Sequence, residues 1–248
     1  MARLFGLISK EEVNFNIKIE DLGKNSTGKI HGWGIGGYDK LRKIQVQKGK
    51  RSSVSIEQNS KINASLKSDI IIAHARVATT GFVNEQNVHP FFYKKYLFAH
   101  NGTINKDKII PQLKKPYNLA YQSEPIDSEL LFRLLIQSIE TKKEVLAGLE
   151  QAVKLVKDVR GTNFILSDGK KLFAYCFGKP LFYLRRKPFP FLAVSKETGI
   201  TYECNGLSLR DAFLISSERL TDENWIRFDE DELVVCDRFL NYDTYRFL

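Results

Sequence analysis

The stretch DIIIAHARVATTG (69–81) combines a strand pattern with a charge that needs a partner. Its apolar run over 70–73 is typical of a strand inside a sheet. Arg76 follows that run, and because a guanidinium stays protonated, burying it requires hydrogen-bond acceptors. Two interpretations are open: an internal ion pair, or a fork that binds the carboxylate of a ligand through two hydrogen bonds.

Short apolar runs with strand character recur on both sides of two amphipathic helices. The first helix is predicted over 127–140 from its apolar spacing, and the second opens with the capping-box pattern Thr141–Glu144. Asp168-Gly169, between two apolar runs, predicts a hairpin. This order of elements indicates an α+β fold, with helices packed on antiparallel sheets in a layered sandwich. The predicted strands are 4–8, 32–38, 69–78, 96–102, 163–167, 171–177, 180–185, 191–195, 212–216 and 232–237.

The composition is that of an ordinary globular protein, and we predict a single domain over residues 1–248. The formal net charge is +9, but the basic residues are spread out and accompany no stacking motif or zinc signature. We therefore expect a solvated surface rather than nucleic-acid binding, with an acidic partner protein as the other interpretation. No apolar stretch has bilayer length, so we expect a cytoplasmic protein without membrane contact. Three cysteines without a close pair predict buried, reduced thiols and no metal site.

Two more segments place polar residues at the ends of apolar runs. In AHNGT (99–103), Asn101-Gly102 is either a turn or a pair of donors to a developing oxyanion. In EPIDSE (124–129), Asp127 is either a helix N-cap or an ionised partner for a ligand ammonium. For His74 and His100, we expect core histidines with satisfied hydrogen bonds.

Taken in order, these segments resemble the class II glutamine amidotransferases. Their pattern is Met-Cys-x-x-x-Gly, then HxRxAT, NxHPF, HNG and D[ST]E at the head of a helix. The matching stretches are Met1–Gly6, His74–Thr79, Asn87–Phe91, His100–Gly102 and Asp127–Glu129. The resemblance covers roughly residues 1–129, and HGWGIGGY (31–38) is similar to the DGWG segment of the stand-alone branch. It implies the N-terminal-nucleophile hydrolase fold, a four-layer αββα sandwich.

The resemblance also implies roles. The family's cysteine at position 2, first in the chain after Met1 is removed, attacks the side-chain amide of glutamine, with its own α-amino group as base. Asn101 and Gly102 would stabilise the oxyanion. Arg76 would bind the substrate α-carboxylate and Asp127 its α-ammonium. Further pocket positions would be Thr79, Thr80, Gly32, Trp33 and His89. No cofactor is implied, and the ammonia would pass to an acceptor or a synthase subunit.

The chain departs from this pattern at the reacting atom, because residue 2 is alanine. As written, the chain is expected to bind glutamine or a γ-glutamyl compound without hydrolysing it. Two explanations are open: a cysteine replaced by alanine in an otherwise intact glutaminase, or a natural glutamine sensor without catalysis. Retention of Asn101 and Gly102 favours the first, because oxyanion donors act only in the transition state. A stand-alone γ-glutamyl peptide amidase is a further alternative for the cysteine form.

Overall fold

The computed structural model describes residues 2–19, 30–50, 62–76, 87–118, 125–157, 161–187, 191–196, 198–205 and 211–247. Its strands are β1 (Arg3–Ile19), β2 (Gly32–Tyr38), β3 (Ile44–Lys50), β4 (Ile62–Arg76), β5 (Phe91–Tyr93), β6 (Tyr96–Gly102), β7 (Thr162–Ser167), β8 (Lys171–Cys176), β9 (Phe182–Arg186), β10 (Phe191–Val194), β11 (Ile200–Asn205), β12 (Ala212–Ser216), β13 (Ile226–Arg227), β14 (Glu232–Asp237) and β15 (Tyr242–Arg246). Its helices are α1 (Lys106–Ile109), α2 (Asp127–Lys142) and α3 (Val145–Val156).

The strands form two antiparallel sheets. The larger has nine strands, with the order β13-β9-β12-β1-β4-β2-β3 and the pair β10–β11 attached to β1. The smaller has six, in the order β15-β14-β8-β7-β6-β5. The predicted hairpin at Asp168-Gly169 is confirmed: the Asp168 carboxylate accepts the backbone N–H groups of Lys170 and Lys171, both at 2.9 Å, between β7 and β8.

The two sheets face each other across an apolar layer, and the helices cover the other side of the smaller sheet. The layer between the sheets contains Leu4 and Ile70 of the larger sheet with Leu97 and Ile165 of the smaller one. Both α2 and α3 belong to a separate core cluster with β6, β7 and β8. Among the described residues, helices lie on this side of the sandwich alone.

The outer face of the larger sheet is covered by the sheet's own extension. The rings of Phe5 and Phe15 stack at 5.1 Å between centroids, although ten extended residues would span about 33 Å. Strand β1 therefore bends sharply, and its pairing with β4 shifts register between Ile8 and Val13. The far half of β1, with β10 and β11, thus packs over the first half, where the αββα pattern predicts a second helical layer.

The helix boundaries correct one prediction. Thr141 does not cap the second helix, because it lies in the last turn of α2 and its hydroxyl donates to the Gln137 carbonyl at 2.7 Å. Glu144 is the N-cap of α3, and its carboxylate accepts the N–H groups of Leu146 and Ala147. Lys143 takes the left-handed conformation that ends α2. Within the described residues, no helix has the length and apolar character to cross a membrane.

Candidate active site

One cavity lies at the end of the sandwich where β1 begins and where β4 and β6 end. Its volume is about 370 Å³. It brings together six of the predicted site residues, namely Ala2, Arg76, His89, Asn101, Gly102 and Asp127. These residues come from both sheets and from the first turn of α2, so the fold assembles the cavity from distant parts of the sequence. Its remaining lining residues are His74, Asn87, His100, Thr103, Ile104, Lys106, Ile126 and Ser128.

The start of the chain is held in place beside this cavity. The Asn101 side-chain N–H donates to the Ala2 carbonyl oxygen at 2.8 Å. The next residue, Arg3, is buried and forms an ion pair with Glu218 at 3.0 Å. Leu4 donates its N–H to the Ser217 hydroxyl at 3.1 Å. Residue 2 is therefore fixed by its neighbours and by the asparagine that the family motif associates with it.

Arg76 lines the cavity. Among the described residues, no carboxylate lies within ion-pair distance of its guanidinium. Its hydrogen bond to the Asn87 carbonyl is long, at 3.4 Å. Of the two interpretations of Arg76, the internal ion pair therefore finds no support among the described residues. A half-buried guanidinium that lines a cavity with most of its donors uncommitted is suited to binding an anion.

Asn101-Gly102 is the end of a strand and not a turn. Asn101 pairs with Asn163 and Gly102 with Thr162 in the β6–β7 ladder. Glycine is required here by close approach, because a Cβ on Gly102 would lie 1.9 Å from the Gly161 carbonyl oxygen. The turn interpretation is therefore wrong, and the asparagine amide is left on the wall of the cavity.

Asp127 is the first residue of α2, and Ile126 is the N-cap, so the N-cap interpretation is wrong by one residue. One carboxylate oxygen accepts the Ile104 N–H at 2.9 Å and the other accepts the Ser128 N–H at 2.8 Å. Among the described residues, no lysine or arginine forms an ion pair with it. The carboxylate is thus oriented by the backbone, and the positive end of the helix dipole stabilises its negative charge. It is available to bind a ligand cation.

Three buried histidines form the inner wall of the cavity. Burial lowers the pKa of His74 to about 3 and that of His100 to about 4, and it also brings the pKa of His89 well below its usual value. All three rings are therefore neutral at pH 7. The ring nitrogen Nδ1 of His100 lies 2.9 Å from the Ser128 hydroxyl, but its Nε2 has no hydrogen-bond partner among the described residues, so the expected satisfied histidine holds for one ring nitrogen only. For His74 that expectation is wrong, since neither ring nitrogen has a partner in the described part of the chain.

Some predicted pocket residues lie elsewhere. Gly32 and Trp33 do not line the cavity. Because side chains alternate along β2, Trp33 packs on the face of the larger sheet that points away from the smaller sheet. The β2 glycines instead make room for the segment beside His89, since a Cβ on Gly34 would lie 2.1 Å from the His89 carbonyl oxygen. Thr79 and Thr80 lie outside the described residues. Sequence reasoning missed the eight other lining residues, although His74, Asn87, His100 and Ser128 lie inside the quoted family motifs.

The three cysteines are unsuited to replace the missing nucleophile at position 2. All are buried, as predicted, and none lines the cavity. Burial raises the pKa of each thiol to about 12, so the reactive thiolate is scarce at neutral pH. Within the described residues, no group of three or more potential ligands is arranged to hold a metal ion.

Comparison with known proteins identifies the family. The model of the "Glutamine amidotransferases class-II" family matches residues 1–239, and the chain belongs to this family. The crystal structure of a predicted glutamine amidotransferase from Pseudomonas aeruginosa is similar, with a TM-score of 0.75 and 25% identity. That similarity covers 94% of this chain and 96% of the other. The α+β fold predicted from the order of elements is thereby confirmed, and it is the fold of a glutamine amidotransferase structure.

Two relatives show how this chain compares in length with other proteins. An uncharacterized protein of Methanocaldococcus jannaschii is 29% identical over 95% of this chain and 69% of its own length. The glutamine–fructose-6-phosphate aminotransferase of Shewanella oneidensis is 26% identical over 58% of this chain. The match spans 25% of that aminotransferase, so a region of this kind occurs there within a longer protein.

Proposed function

We propose that the cavity binds the free amino-acid end of glutamine or of a γ-glutamyl compound. The observation that carries the proposal is a cation and an anion, Arg76 and Asp127, which line the same cavity and have no ion partner in the described part of the chain. A glutamine zwitterion offers one carboxylate to the guanidinium and one ammonium to the carboxylate. The uncharged side-chain amide then extends towards residue 2, where Asn101 already contacts the backbone.

In the cysteine form of this site, we propose amide hydrolysis through a thioester. The thiolate at position 2 adds to the amide carbon, and the α-amino group of the same residue accepts and returns the proton. The Asn101 amide and the Gly102 N–H stabilise the oxyanion of the tetrahedral intermediate. Ammonia leaves, and water then releases glutamate from the γ-glutamyl thioester. Family membership supports this reaction in general terms.

With alanine at position 2, we propose that the protein binds its substrate but does not hydrolyse it. A methyl group cannot form the thioester, and the buried cysteines do not reach the cavity. By analogy with removal of a protease nucleophile, the loss of rate is on the order of 10⁶-fold. The intact oxyanion donors favour a replaced cysteine over a natural sensor.

We also propose that the ammonia released by the cysteine form passes to an acceptor. The longer aminotransferase relative supports an acceptor domain or a separate synthase subunit; the alternative is release of ammonia by a stand-alone γ-glutamyl amidase. We further propose that residues 1–248 act as one domain, that the protein is cytoplasmic, and that nucleic acid and membranes are not its partners.

The test is a calorimetric titration of the Ala2 protein with a matched set of ligands. We expect saturable binding of L-glutamine, and much weaker binding of analogues that lack the α-carboxylate or the α-ammonium, since each leaves one charge of the cavity unpaired. Titration with a γ-glutamyl dipeptide shows whether the cavity also admits substrates longer than glutamine. Equal affinity for glutamine and both truncated analogues would refute the proposed binding mode.

A further inference from the structure

A lysine outside the cavity contacts the back of the Asn101 side chain. The Nζ atom of Lys179 lies 3.4 Å from the Asn101 amide oxygen. The other end of the same amide donates to the Ala2 carbonyl oxygen at 2.8 Å. A lysine ammonium donates hydrogen bonds and accepts none, so the opposite orientation of the amide would set N–H groups against an ammonium. The lysine thus selects the orientation in which the Asn101 amide nitrogen faces residue 2.

The fold fixes the position from which this lysine extends. The Lys179 carbonyl accepts the Asn163 side-chain N–H at 2.9 Å and the Cys176 thiol at 3.3 Å. Asn163 also accepts the Phe177 N–H at 2.8 Å, and it lies directly opposite Asn101 in the β6–β7 ladder. The turn after β8 is therefore tied to the strand that pairs with Asn101.

The stem of Lys179 lies against a glycine. A Cβ on Gly161 would lie 2.9 Å from Lys179 Cε, so any larger residue at position 161 would displace the stem. Gly161 also accepts the Thr103 N–H at 3.2 Å, just beyond Gly102. The lysine stem thus packs where the end of β6 meets β7.

The Lys179 ammonium has no carboxylate partner within the part of the chain that the structure describes. Among the described residues, none forms an ion pair with Lys179, and partial burial lowers its pKa. Keeping an unpaired, partly desolvated cation costs free energy. Stability alone gives no reason to retain it, whereas a cation behind the asparagine carbonyl polarises the amide and makes its N–H a stronger donor.

We propose that Lys179 is a positioning residue, which holds the Asn101 amide nitrogen towards residue 2 and strengthens it as an oxyanion donor. This inference rests on the proposed function, because it assigns Lys179 to the transition state of that reaction. An oxyanion exists only after the nucleophile attacks. Loss of Lys179 is therefore expected to lower kcat and to leave KM unchanged.

The kinetic test uses the Ala2→Cys protein as the parent. We expect Lys179→Met to lower kcat about tenfold with KM within about twofold, short of the 10²–10³-fold loss on removing an oxyanion donor itself. Lys179→Arg should recover most of the loss, because it restores the cation. The exposed lysine Lys170 offers the matched control, Lys170→Met, with no expected effect. In an Asn101→Ala background, Lys179→Met should have no further effect; an unchanged kcat, or additive losses, would overturn the inference.

A second measurement does not depend on activity. In ¹⁵N-labelled Ala2 protein, the Asn101 side-chain amide is assigned by its loss in Asn101→Ala. We expect Lys179→Met and Lys179→Gln to shift this resonance and to speed its hydrogen exchange, and Lys179→Arg to preserve it. An unmoved Asn101 resonance in both neutral variants would overturn the inference. If the Ala2→Cys parent does not release glutamate, the proposed function fails, and this spectrum still decides whether Lys179 orients Asn101.

Discussion

Replacing Arg76 by methionine separates ligand binding from stability. The change removes the guanidinium and keeps an apolar stem of similar length. Because the guanidinium has no ion partner among the described residues, its loss should change the free energy of unfolding by no more than about 0.5 kcal/mol. An arginine in a buried ion pair would instead cost about 3–5 kcal/mol when removed.

The same change should strongly weaken glutamine binding. Truncating one member of a buried, hydrogen-bonded charge pair costs about 2–5 kcal/mol. Since Arg76 is half-buried and already contacts the Asn87 carbonyl, we take the lower part of this range. A loss of about 2–3 kcal/mol raises the Kd roughly 30- to 150-fold. Arg76→Lys keeps the charge without the fork and should give an intermediate Kd.

The assay pairs calorimetric titration of glutamine with chemical denaturation of the same samples. Arg238→Met is a matched control, because Arg238 forms an ion pair with buried Asp69 at 2.8 Å, away from the cavity. It should lower stability and leave the Kd for glutamine unchanged. An Arg76→Met protein that binds glutamine as tightly as its parent, or that loses several kcal/mol of stability, would refute the role given to Arg76.

Three further measurements test Asp127, the buried histidines and the buried cysteines. Asp127→Asn should raise the Kd for glutamine while leaving the Kd for an analogue without the α-ammonium unchanged; equal weakening in calorimetry would contradict the assignment. Because burial lowers the folded pKa of His74 and His100 to about 3 and about 4, the unfolded state binds more protons below about pH 6.5. Stability should then fall between about pH 6.5 and pH 4, by up to about 1.4 kcal/mol per pH unit for each histidine; a flat series of denaturation midpoints would argue against neutral burial. Iodoacetamide should leave the folded Ala2 protein unmodified by mass spectrometry at neutral pH and should label the Ala2→Cys protein once; rapid triple labelling of the folded chain would contradict the buried thiols.

The sequence predicts secondary structure correctly where the pattern of side chains is local. Residues 32–38 and 96–102 form strands with the predicted bounds, because their apolar side chains alternate or run without interruption between turn residues. The bend in β1 could not be predicted, since it depends on Phe5 meeting Phe15 across a register shift. Glu144 replaced Thr141 as the cap because the preceding helix runs two residues further than its apolar spacing indicates.

The site was predictable as far as family motifs extend. Arg76, Asn101 and Asp127 lie far apart in the chain, and only the resemblance placed them in one cavity. Trp33 was misplaced because a motif does not show which face of a strand a side chain takes. Lys179 lies in no motif, and only the ladder between β6 and β7 brings it to Asn101. Contacts of this kind depend on strand pairing, which local spacing does not encode.

The central claim is that residue 2 is the reacting position of an otherwise complete glutaminase site. The most direct measurement is glutamate release from L-glutamine by the Ala2→Cys protein, with removal of Met1 verified by mass spectrometry. We predict turnover by this protein and none by the Ala2 protein or by an Ala2→Cys protein that retains Met1, because the retained residue blocks the α-amino base. A processed Ala2→Cys protein that binds glutamine and releases no glutamate would contradict the claim.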